Sequence, residues 1–179
     1  MQMPARSQFV TITAWLSLAL ALLGVVTGIL QGGMLLALGQ DRELLDALTA
    51  GAGGLALPPS VLWVFDHVGL LLLLSVLSSA LWAAASWGLL QRREWGRFGF
   101  IVLLAAGALL AFAGAFAFDR LLAGLNAQAG LDPADIDPLL ANMQAATRVV
   151  MYGGALLVAL LHAAIAWKLC TPAVRAEFR

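Results

Sequence analysis

QRREWGRF, residues 91–98, is the stretch whose reading decides the fold. Arg92, Arg93 and Arg97 fall within it, the densest positive charge in the chain, and long apolar runs flank it on both sides. A short basic segment between two apolar runs reads as the turn between membrane-crossing helices. Working outward, residues 66–90 and 98–118 are apolar enough, and long enough at 1.5 Å per residue, to cross a hydrocarbon core of about 30 Å.

Two further runs complete the set. Residues 9–30 carry no charge over 22 positions, and residues 149–169 are interrupted only by His162, Trp167 and Lys168 among polar or aromatic side chains near their end. The first run is longer than the apolar region of a cleaved signal peptide, about 7–15 residues, and no A-x-A boundary follows it. A retained helix is expected. The fold class is therefore an all-α integral membrane protein: a four-helix transmembrane bundle in one domain, with a basic hinge at 91–97 and outer loops at 39–60 and 119–148.

Composition agrees. The 179 residues are 62% hydrophobic and 11% charged, with mean hydropathy +0.93, whereas soluble domains carry about 25% charged residues. A soluble chain of this size has no interior large enough for that much apolar surface. The single cysteine, Cys170, excludes an internal disulfide framework and a CxxCH haem attachment.

Charge distribution predicts orientation. Arg6, Arg92, Arg93, Arg97, Lys168, Arg175 and Arg179 fall on one side of the four spans, and Arg42, Arg120 and Arg148 on the other, with most of the acids. The positive-inside rule places both termini and the hinge in the cytoplasm, in a bacterial inner membrane given the Arg, Ala and Leu bias.

The outer loops carry apolar residues at helical spacing. Leu44, Leu45 and Leu48 in one, and Leu121, Leu122 and Leu125 in the other, predict short amphipathic helices at the interface. Asp132-Pro133 and Asp137-Pro138 each read as an N-cap followed by proline at the first helical position. The two halves also resemble each other. Asp41-Arg42 with its leucines matches Asp119-Arg120, and LWAA with Trp87 matches LHAA with Trp167. This predicts a parallel two-hairpin repeat about an axis normal to the membrane, against chance similarity of Leu/Ala-rich helices.

Candidate functional groups are few. His162 is the one ionisable side chain expected well inside a span, and such groups are functional candidates; a neutral imidazole donating to a carbonyl or to Ser78, Ser79 or Ser86 is the structural expectation. Asp66 and His67 are adjacent and point to different sides of a helix, so they form an interfacial polar step and no chelate. Gly24, Gly28 and Gly32, with Ser75, Ser78 and Ser79, offer a helix-packing face. Arg92, Arg93 and Arg97 are expected to mark topology and to meet anionic lipid headgroups. No catalytic, metal-binding or cofactor-binding motif is present, and no basic patch beyond the hinge suggests nucleic acid.

These features predict a non-catalytic protein: an accessory, assembly or scaffold subunit whose partners are the lipid bilayer and either copies of itself or other membrane subunits. A small oligomeric transporter or channel is the second expectation, and a membrane-embedded enzyme the third.

Overall fold

The computed structural model describes residues 7–38, 63, 64, 66–128 and 137–178. Four long helices account for nearly all of them: α1, Gln8–Leu38; α2, Val68–Leu90; α3, Glu94–Gln128; and α4, Pro138–Cys170. A single turn, α5, Pro172–Arg175, follows α4. All four long helices are long and apolar enough to cross a membrane. No strand occurs among the described residues.

Three helix ends differ from expectation. α1 runs through Gln31, Gly32 and Gly33 to Leu38 without a break, because isolated glycines cost a helix only about 1 kcal/mol each. α3 continues ten residues past Phe118, and α4 begins eleven residues before Val149. The segment 119–128 holds Leu121, Leu122 and Leu125 in continuous helical register, so it extends α3 and forms no separate interfacial helix. Partners across the gap hold the extension: Arg148 Nε donates to Asp119 Oδ1 at 2.6 Å, and the Asn126 and Gln144 amides donate to each other's oxygens at 3.2 Å. The N-cap at Asp137 is as expected, with Oδ1 accepting from the Leu139 N–H at 2.7 Å and Pro138 at the first position. The expected helix over 41–50 and the cap at Asp132 lie outside the described residues.

The helices pack in chain order. α1 lies on α2, α2 on α3 and α3 on α4, while α1 and α4 share no extended seam. Packing is concentrated at the hinge end. One cluster joins Val10 and Ala14 of α1, Ala85 and Leu89 of α2, Phe100 and Leu104 of α3, and Leu169 of α4. Val174 and Phe178 from the tail close it. Further from the hinge, Gly114, Gly153 and Gly154 have nothing within 4 Å of where a Cβ would stand.

The hinge itself depends on two close approaches. A Cβ on Gly96 would stand 2.6 Å from the Leu89 backbone nitrogen and 2.7 Å from Gly88 Cα. Only glycine at both positions lets α2 and α3 cross so near. α2 then ends in a Schellman motif: the Arg92 N–H donates to Leu89 O at 3.1 Å and the Arg93 N–H to Gly88 O at 3.0 Å. The residue that must turn left-handed is Arg92, at φ 57°. Glycine usually fills that place, so the arginine side chain has to offset the strain.

Candidate functional site

Arg92 does so by joining both ends of the chain to the hinge. Its Nη2 donates to the Ser7 carbonyl at 3.2 Å and to Thr11 Oγ1 at 3.0 Å, and its Nη1 lies 3.1 Å from Glu177 Oε2. The same carboxylate oxygen accepts from the Ser7 N–H at 3.2 Å. The two side chains are 14% and 10% exposed, which makes the pair stronger than a solvated surface bridge. Phe178 sits beneath, its ring centroid 5.9 Å from the Arg92 guanidinium and 5.7 Å from that of Arg97.

Arg97 is 3% exposed. Its Nη2 is 3.4 Å from Glu94 Oε1, and its guanidinium stacks 4.6 Å from the Phe98 ring centroid. Two of the three hinge arginines thus turn inward onto the tail, and Arg93 alone is exposed. Arg92 and Arg97 engage the chain's own carboxylates, hydroxyl and rings. The sequence clue was an arginine where a helix C-terminus wants glycine; Glu177, 85 positions away, carried no visible link to it.

The packing face is partly used as expected. A Cβ on Gly24 would stand 2.7 Å from Ser79 Oγ, and one on Gly28 2.6 Å from Val76 Cγ2, so α1 and α2 meet along these residues. Gly32 meets nothing within 4 Å, and Ser75 and Ser78 face outward. At the start of α2, His67 Nδ1 donates to the Trp63 carbonyl at 2.9 Å and its ring stacks on Trp63 with centroids 4.5 Å apart. Asp66 is exposed. Among the described residues, no group of three or more His, Cys, Asp or Glu is placed to hold a metal.

His162 sits eight residues before the end of α4, about 12 Å along its axis. Its Nδ1 is 3.0 Å from the Leu104 carbonyl on α3. A carbonyl only accepts, so Nδ1 carries a proton and donates, and in the tautomer with that single proton Nε2 is an acceptor. The carbonyl partner matches expectation; Ser78, Ser79 and Ser86 do not contribute. Ser86 is buried, and its hydroxyl has no partner among the described residues.

Around His162 the four helices leave a cleft of about 540 Å³. It is lined by Thr13 and Ser17 of α1, Ser79 and Trp82 of α2, Phe100 of α3 and His162 of α4, with aliphatic side chains between. Trp82 meets Phe100 edge-on at 5.3 Å between centroids and lies 6.4 Å from the His162 ring. Among the described residues, no Asp, Glu, Lys or Arg lines it. Thr13 and Ser17, one helical turn apart on α1, are the sequence signal for this cleft, a weak one because two hydroxyls in an apolar helix commonly bond their own backbone. No protein-family model, curated protein or solved structure matches this chain.

Proposed function

We propose that this chain is a non-catalytic multi-pass membrane protein that serves as an accessory, assembly or scaffold subunit of a larger bacterial inner-membrane complex, with both termini and the hinge in the cytoplasm. One observation carries the reading. In the apolar windows of α2 and α4 only 6% of residues are buried within the chain, and the small residues Gly114, Gly153 and Gly154 stand with open space beside them. Glycine on a membrane helix permits close approach by another helix, and among the described residues none lies beside these three. The large exposed side chains along the same helices, among them Leu109, Leu157 and Trp167, suit acyl chains or a partner helix and not water.

The charge distribution supports the orientation, and the geometry fits the expected thickness. From Arg97 to Asp119 and from Arg148 to Lys168 the helical rise is about 30 Å, which supports a reading with the Asp119–Arg148 pair at one boundary and the hinge at the other. Trp82 and His162, the repeat-related positions, have ring centroids 6.4 Å apart, which supports the shared depth expected of a parallel duplication.

The test is extraction into nanodiscs under native conditions, followed by mass measurement. A stoichiometric foreign membrane subunit is the expected result; a chain that is monomeric and alone in every preparation overturns the subunit reading. A homo-oligomer enclosing a hydrated path would favour the small transporter. For orientation, Cys170 is exposed at the hinge end and should resist a membrane-impermeant maleimide in intact cells, while a cysteine placed at Gln128 should react. The reverse pattern refutes the orientation.

A further inference from the structure

The cleft beside His162 is lined by five residues that each carry a polar group without a hydrogen-bond partner among the described residues. The hydroxyls of Thr13, Ser17 and Ser79, the indole N–H of Trp82 and Nε2 of His162 make no hydrogen bond among the described residues. Thr11, Thr27 and Thr147 on these helices each bond the carbonyl four residues back, while Ser86 Oγ has no partner among the described residues either. These side chains are half-buried, and a donor or acceptor covered by hydrocarbon without a partner is disfavoured. A bare acyl chain filling the cleft would leave all five unmet.

We propose that this cleft binds a neutral, lipid-soluble phenol or hydroquinone, an aromatic ring bearing hydroxyl and an apolar tail. Each part of that description follows from the lining. The absence of any charged side chain from the described lining disfavours a carboxylate, phosphate or ammonium group, which would be stranded in a low-dielectric site. The Nε2 lone pair accepts only, so the ligand must donate; the indole N–H donates only, so the ligand must also carry an acceptor. A hydroxyl does both.

The ring follows from the aromatic side chains. Trp82, Phe100 and His162 present edges and faces of the kind that pack offset or edge-to-face against another ring. The volume of about 540 Å³ falls in the range of sites that enclose a small organic molecule. Because α1 and α4 share no extended seam, the tail can leave between them into the surrounding hydrocarbon. The proposal uses the membrane placement of the helices but no partner subunit.

The protein has two histidines, and they serve as site and internal control. The chain is labelled with ¹⁵N-histidine, reconstituted in phosphatidylcholine nanodiscs and titrated with decylhydroquinone kept reduced, then with its dimethyl ether. Saturable binding of the hydroquinone should move the His162 Nε2 resonance and leave His67, stacked on Trp63 at the start of α2, unmoved. The dimethyl ether, which cannot donate, should bind at least about tenfold more weakly, the equivalent of one hydrogen bond, as should the hydroquinone to His162→Phe. Ser17→Val serves as the second variant and should weaken binding without touching the histidine signal of the free protein. Equal affinity for the two compounds, equal shifts of both histidines, or unchanged binding in both variants would overturn the site. A chain that does not enter the bilayer would overturn the membrane placement and this proposal with it.

Discussion

Replacing Arg92 by glycine tests the hinge through the sign of the effect. An L-residue in the left-handed region costs about 1–2 kcal/mol, and glycine removes that cost. If the guanidinium did nothing but face solvent or lipid, Arg92→Gly would stabilise the protein by about 1 kcal/mol. The structure predicts the opposite. The guanidinium holds the Ser7 carbonyl, the Thr11 hydroxyl and the Glu177 carboxylate, and breaking a largely buried ion pair of this kind costs about 3 kcal/mol or more. Net destabilisation by Arg92→Gly should be about 2 kcal/mol after the strain is relieved. Arg92→Ala keeps the strain and should lose about 3 kcal/mol. The order wild type, then glycine, then alanine can be read by thermal unfolding in detergent, followed by tryptophan fluorescence. Amide exchange at Ser7, whose N–H donates to Glu177, should quicken in both variants. A glycine variant more stable than wild type would refute the reasoning.

Other substitutions probe the remaining contacts. Gly96→Ala should lose about 3 kcal/mol or more, since its methyl would meet backbone that no rotamer change can move, whereas Gly114→Ala, in open space, should be neutral or gain up to about 1 kcal/mol of helix propensity; equal unfolding temperatures for the two would refute the close crossing. The Asp119–Arg148 pair, with side chains 33% and 48% exposed, should show a coupling below about 1 kcal/mol in a double-mutant cycle of Asp119→Asn and Arg148→Gln. A coupling well above that would mean the pair is shielded from water by something beyond this chain.

The four helices were legible because length, hydropathy and lack of charge act locally, and so was the cap at Asp137, where Asp-Pro states its own backbone geometry. His162 donating to a carbonyl was legible from the scarcity of polar partners at its depth. What could not be read depends on which distant residues share a place. Nothing near Arg92 announces Glu177 or Phe178. The inward turn of Arg97 follows from where Phe178 lies, and the length of α3 beyond Phe118 follows from partners on α4. The hinge glycines Gly88 and Gly96 are eight positions apart on different helices, so no single-helix periodicity pairs them. The cleft is the same case: its five polar groups come from three helices, and each looks ordinary on its own.

The contact between Ser7 and Glu177 spans 170 positions, and that separation sets an order of events during synthesis. α1 and α2 can meet along Gly24 and Gly28 as soon as both have emerged, but Arg92 then holds only Ser7 and Thr11. Its carboxylate partner and the phenylalanine beneath it are among the last described residues to leave the ribosome. Until they arrive, the guanidinium groups of Arg92 and Arg97 and the apolar ends of Val10, Leu89 and Phe100 lack their cover. A chain that stops short of Glu177 and Phe178 therefore displays a charged and apolar patch that these two residues otherwise cover, which gives a membrane protease a physical basis for telling the two apart.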